Sequence, residues 1–193
     1  MLGTSRPSRW PAAAPTDTLS SPATPALTGA DFAPILGGGP FTWNGMRVQT
    51  FFGTNPSNNR TVTVEAILSG GSNVKWTLCV SAYQSFDTSA PIYSPQQNGP
   101  IYVGNYPQTP AVNIGDGDLV YAVAFAADNG GAFPGNNSLA AGPGFTAEFT
   151  TITNPLVENG GKAGPVTAQA PITSQDPNPR GFIFAMGIKA ATS

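Results

Sequence analysis

The residues able to do chemistry in this chain are few, and their spacing excludes more than it offers. There is no histidine. That removes Ser-His-Asp and Cys-His nucleophile systems and every histidine-ligated metal site. Cys79 is the single cysteine, so no disulfide can form within the chain. It falls on the polar side of an alternating run and reads as a small neutral filler. Gly115-Asp116-Gly117-Asp118 places two carboxylates close together, as a calcium site would. The loop lacks further oxygen ligands at alternating positions and a closing glutamate, so it reads as a turn. Asp128 with Asn129 reads the same way. Glycoside hydrolysis would need two acids about 5 to 9.5 Å apart in a cleft. Glu65 and Glu148 form the pair to consider, but each sits mid-strand on the more polar face and is expected to face solvent. Gly142-Pro143-Gly144-Phe145-Thr146-Ala147 matches Gly-x-Gly-x-x-Ala, but a strand follows where a dinucleotide site needs a helix. The reading is a non-enzyme with no catalytic, cofactor or metal-binding residues.

Aromatic side chains are the other candidates. Tyr83, Phe86, Tyr93, Tyr102, Tyr106 and Phe133 lie in or beside predicted loops. Three uses fit them: stacking on sugar rings, anchoring an interface between subunits, or capping the ends of the fold.

The composition narrows the setting for these groups. Of 193 residues, 9% are charged, against about 25% in ordinary globular proteins. There are 23 glycines and 20 prolines, which leave little room for helices and suit short strands joined by turns. Net charge is −2 with no basic stripe, so neither nucleic acid nor an anionic membrane is an expected partner. No apolar run approaches the roughly 18 residues of a spanning helix. The first residues lack the basic start and apolar stretch of a secretory signal, so synthesis in a cytoplasm is expected. The sequons Asn59-Arg60-Thr61 and Asn136-Asn137-Ser138 are then chance matches.

Residues 1–40 form a zone of their own. Prolines at 7, 11, 15, 22, 25, 34 and 40 predict extended, polyproline-like chain that cannot complete a sheet. The plain alternative is a disordered tail. Against it, Trp10, Leu19, Leu27, Phe32, Ile35 and Leu36 recur between polar spacers, as anchors that dock on another surface would. Gly37-Gly38-Gly39 is the expected hinge.

From Phe41 to residue 193 the pattern is that of one β domain. Period-two alternation predicts strands at 46–52, 62–68 and 74–82, the last two paired antiparallel, with Trp76 and Val80 facing the core. Residues 84–117 read as loop-rich, with short strands near 101–103 and 111–114. The charge-free run Leu119–Ala127 reads as a central strand buried on both faces. A long loop is expected at 128–144. Strands follow at 145–152, 166–169 and 182–188. The expected fold is all-β, two antiparallel sheets packed face to face.

The block Gly117-Asp118-Leu119-Val120-Tyr121-Ala122-Val123-Ala124-Phe125, then Pro143-Gly144-Phe145-Thr146, Gly164-Pro165-Val166-Thr167 and an apolar terminal strand, resembles jelly-roll or lectin-like sandwich domains of bacteriophage virion proteins. The resemblance covers about residues 112–190. It implies a structural or receptor-facing role in a capsid decoration, head fibre or tail part. Partners would be further virion subunits, in a homo-oligomer such as a trimer, and major capsid or tail proteins. The location would be the virion. Some members of that group bind surface glycans, so a carbohydrate-binding module using the loop aromatics is the competing expectation.

Overall fold

Leu119–Ala127 has no charge and no breaker, and in the computed structural model it becomes the middle strand of the largest sheet. Full description covers residues 49–53, 77–87, 89–97, 107–128 and 135–191. For 19–20, 32–34, 41–43, 46–48, 65–66 and 98–102 the structure describes the strand backbone. The strands in chain order are β1 (Leu19–Ser20), β2 (Phe32–Pro34), β3 (Phe41–Trp43), β4 (Met46–Val48), β5 (Phe51–Gly53), β6 (Glu65–Ala66), β7 (Ile92–Tyr102) and β8 (Val112–Ile114). Then come β9 (Leu119–Ala127), β10 (Ser138–Leu139), β11 (Phe145–Ala147), β12 (Leu156–Gly160), β13 (Gly164–Val166), β14 (Ile172–Thr173) and β15 (Arg180–Ile188). The protein is all-β with antiparallel sheets, and the described residues contain no helix long and apolar enough to cross a membrane.

The main sheet runs β11-β12-β9-β15-β7. Strand alternation sends successive side chains of β9 and β15 to opposite faces. Val120, Ala122, Ala124, Ala126, Ile183, Ala185 and Leu156 share one face, and the β8–β13 and β10–β14 ladders lie over it with Val112, Ile114 and Leu139. The other face carries Tyr121, Phe125, Val157, Phe182, Phe184, Met186 and Ile188. Phe125 and Phe182, cross-strand neighbours, stack at 5.2 Å. Small residues on the first face let a second layer approach closely, and aromatics fill the second. This arrangement is consistent with a β-sandwich.

Several expectations need correction. Residues 84–117 hold more strand than expected: β8 lies where a short strand was read, but β7 spans eleven residues in place of the three near 101–103. Pro95 and Pro100 disguised it, but β7 is an edge strand, where a missing ladder donor is tolerated. The β15–β7 register shifts between Gly181 and Ile183 and between Ala185 and Gly187, and Ser94 takes a positive φ of +47°, which fits a bulged strand. β12, the second neighbour of β9, has no counterpart in the sequence reading, because Glu158-Asn159-Gly160 resembles a turn. Residues 77–82 are not in a strand, and β6 pairs with β1 rather than with them. Their parity is inverted too: Val80 is 48% exposed, while Cys79 and Tyr83 pack on the aromatic core. The alternation from Phe145 breaks at Glu148, since Phe145 and Ala147 pack on the first core and Phe149 on the second. Trp76 and most of 62–68 lie outside the described residues.

The Pro-rich segment does form short ladders. β1 pairs with β6 and β2 with β5, both antiparallel. The pairing uses residues lying between prolines, Leu19–Ser20 and Phe32–Ala33, with Pro34 only at the strand end, so the missing donors are avoided.

Candidate functional site

Among the described residues, three polar clusters and one groove are candidates for acting on something else. The first cluster lies on the aromatic face. The Glu148 carboxylate accepts hydrogen bonds from Ser81 Oγ, Tyr83 OH and Asn159 Nδ2, the last at 2.9 Å. Glu148 is half-buried, so the expectation of a solvent-facing acid is corrected: the side-chain donors from 81, 83 and 159 make burial tolerable. Tyr83 meets Phe86 and Tyr121 edge-on, with centroids 5.8 and 6.2 Å apart. Burial, and then the Glu148 carboxylate, push the Cys79 thiol up from its usual range. A thiol held neutral in this way is a poor nucleophile, which fits the filler role.

The second cluster closes the Gly115–Asp118 turn. Asp118 accepts from Tyr93 OH and from the backbone N–H groups of Gly115 at 2.9 Å and Ala190 at 2.8 Å. Burial opposes its ionisation, but these bonds and the Lys189 charge outweigh it and hold the carboxyl below its usual range. Both Asp118 oxygens are thus committed to protein donors, and Asp116 is exposed, as a turn requires. No group of three metal-ligating side chains occurs among the described residues. Burial and the Asp118 bond raise Tyr93 to about 12. Its ring lies over Gly187: a Cβ there would come within 2.6 Å of Cζ.

The third cluster caps the far end of β9. Asn154 bonds both backbone groups of Ala126, at 3.2 and 2.7 Å, and the carbonyl of Asn137, whose own amide reaches Asp128 at 2.8 Å. Sequence reasoning passed over Asn154 and Asn159 because a lone asparagine beside glycine or proline reads as turn chemistry.

The groove is an open depression of about 390 Å3 between the start of β11 and β13. Half-buried Phe145 and Val166 line it, exposed Pro143 and Pro165 stand beside them, and Lys162 supplies its one charge. Gly144 and Gly164 take positive φ, +80° and +114°, which brings bare backbone into the wall. The lining offers apolar contact beside a single cation.

Of the six loop aromatics, Tyr83, Phe86 and Tyr93 are half-buried with their rings packed on the protein's own cores. The Tyr102 side chain, Tyr106 and Phe133 lie outside the described residues. So do Trp10, Leu27, Ile35 and Leu36 of the arm, while Leu19 and Phe32 are described as backbone of β1 and β2. Glu65 lies in β6, in a sheet separate from the one next to Glu148, and its side chain is outside the described set.

No protein-family model, no curated protein and no solved structure matches the chain.

Proposed function

We propose that this chain is a non-enzymatic structural protein of a virion, a capsid decoration or a head- or tail-associated subunit, that assembles through its N-terminal segment and the surfaces of its β domain. The observation that carries the reading is how the Pro-rich segment joins the rest. Among the described residues it does so by antiparallel ladders of two and three residue pairs, outside the five-stranded sheet. A segment that pairs through such short ladders can make the same pairs with a second copy, which is a low-cost route to an oligomer. The finer fold in this reading is a jelly-roll-like sandwich with an extended arm. The groove over Phe145 and Val166 is the right shape to receive an apolar anchor from a neighbouring subunit, with Lys162 beside it for a carboxylate. Charge is sparse, as in interfaces of the obligate kind.

Native mass measurement on the purified chain tests this. An oligomer is expected, weakened by Ala163→Glu, which places a carboxylate at an exposed groove position without touching either core. A chain that stays monomeric at every concentration, or that binds or cleaves a glycan as a monomer, would overturn the reading.

A further inference from the structure

Glu158 is the group that the proposed function leaves unused. It sits in β12 opposite Ala122 of β9 and Ala147 of β11, and it is fully buried, at 0% exposure. Its parity is that of Leu156, so it occupies the small-residue face, among alanines, beneath the layer that contributes Val112, Leu139, Ala168 and Ala170. One carboxyl oxygen, Oε2, accepts the backbone N–H of Gly142 at 2.9 Å, and Oε1 has no hydrogen-bond partner among the described residues. A buried carboxylate normally collects several donors or a cation. Among the described residues nothing of the kind faces this one. The sequences of β8, β9, β10, β11, β13 and β14 and of residues 140–144 and 168–170 contain no acid or base, apart from Tyr121 on the opposite face of β9. Lys162 is exposed in the groove.

Gly142 is held from its other side as well. A Cβ on it would come within 2.3 Å of the Gln169 carbonyl oxygen, and its own carbonyl accepts the Phe145 N–H at 3.0 Å. The segment therefore sits in a slot between the Glu158 carboxyl and the 168–170 strip, and it leads directly into Pro143, Gly144 and Phe145 of the groove wall.

We propose that Glu158 is a proton-operated latch: as the neutral acid it holds the Gly142 segment against the small-residue face of the sheet, and loss of its proton to solvent releases that segment. The neutral acid is the form this environment favours, because ionisation would strand a charge with a single donor in an apolar layer. Burial raises Glu158 from its ordinary 4.5 to about 7, only partly offset by the Gly142 hydrogen bond. When the segment opens, the carboxyl reaches water and titrates in the ordinary range. The closed state therefore binds more protons than the open one between those two values. Its advantage is complete below the lower value, declines as pH rises, and is gone above the higher one. Asp118 and Asp87 are both held below the usual carboxyl range, so their titrations fall outside this window.

The test is amide hydrogen exchange at Gly142 in the full-length chain, corrected for intrinsic rates, from about pH 4.5 to about pH 8. Protection should fall by up to about tenfold per pH unit to about pH 7, then level off. In Glu158→Gln, which cannot ionise, the profile should be flat. Parallel profiles in the two proteins would overturn the latch. An infrared titration of the wild type keeps the proposal testable if the variant does not fold. A buried protonated carboxyl band persisting above about pH 6 supports it, and full ionisation by about pH 5 overturns it.

Discussion

At the scale of single residues, the carboxylates divide by what surrounds them rather than by their place in the strand pattern. Glu148 has three side-chain donors, Asp118 has a phenol and two backbone amides, and Glu158 has one amide. Glu148→Gln replaces an acceptor by a donor inside a ring of donors. It should cost about 1 to 3 kcal/mol in urea melts, since charged-acceptor bonds are lost and a polar group is left unsatisfied. Ser81→Ala and Tyr83→Phe should each cost less than that, and a double-mutant cycle with Glu148→Gln should show coupling. A loss within experimental error for Glu148→Gln would mean the cluster is solvated. Asp118 has the opposite sign from Glu158. Its stabilising contribution is complete above the ordinary carboxyl range and is lost as pH falls through its lowered folded value. Asp118→Asn should therefore flatten the acid limb of a thermal-stability profile, and an unchanged acid limb would argue against the turn's hydrogen bonds.

At the scale of elements, edge strand β7 is the least conventional piece, and Gly187 is where it is fastened. The Tyr93 ring occupies the space a side chain at 187 would need, next to the register shift between Ala185 and Gly187. Gly187→Ala should displace Tyr93 and cost about 1 to 3 kcal/mol through overpacking, with loss of the Tyr93–Asp118 bond. A near-ultraviolet circular dichroism spectrum unchanged from wild type would show that the ring had room to move. In the centre, Phe182→Ala removes the partner of Phe125 from a fully enclosed layer. The expected loss is about 3 to 5 kcal/mol in chemical denaturation. A loss below about 1 kcal/mol would mean that the aromatic layer can collapse around the gap.

At the scale of the whole molecule, the question is what the first 36 residues hold together. Their removal takes away β1 and β2 but none of the five strands of the main sheet, nor the two ladders over its small-residue face. The truncated chain should stay folded, with a melt close to that of the full chain, yet fail to oligomerise. Each large apolar anchor buried on a neighbour contributes roughly 1.5 to 3 kcal/mol before the cost of ordering the segment is subtracted. Unfolding on truncation would place the segment's role within its own chain. Unchanged assembly would move the interface to the groove and the 128–144 region.

The sequence by itself determined the β class, the central strand 119–127, the terminal strand 182–188 and the Gly115–Asp118 turn. Each is written locally, in a charge-free run or a cluster of turn formers long enough to outweigh its surroundings. Only the tertiary structure decided the rest. Pro95 and Pro100 can sit in a strand because that strand is at an edge. Cys79 and Tyr83 face inward and Val80 outward because Glu148, far away in sequence, waits on the inner side for the donors of residues 81 and 83. Glu158 looks like a surface acid in a turn-like string, yet antiparallel pairing with β9 places it against Ala122 and denies it water. Alternation along a chain states that two faces differ. Which face becomes the interior depends on what the other strands bring to it.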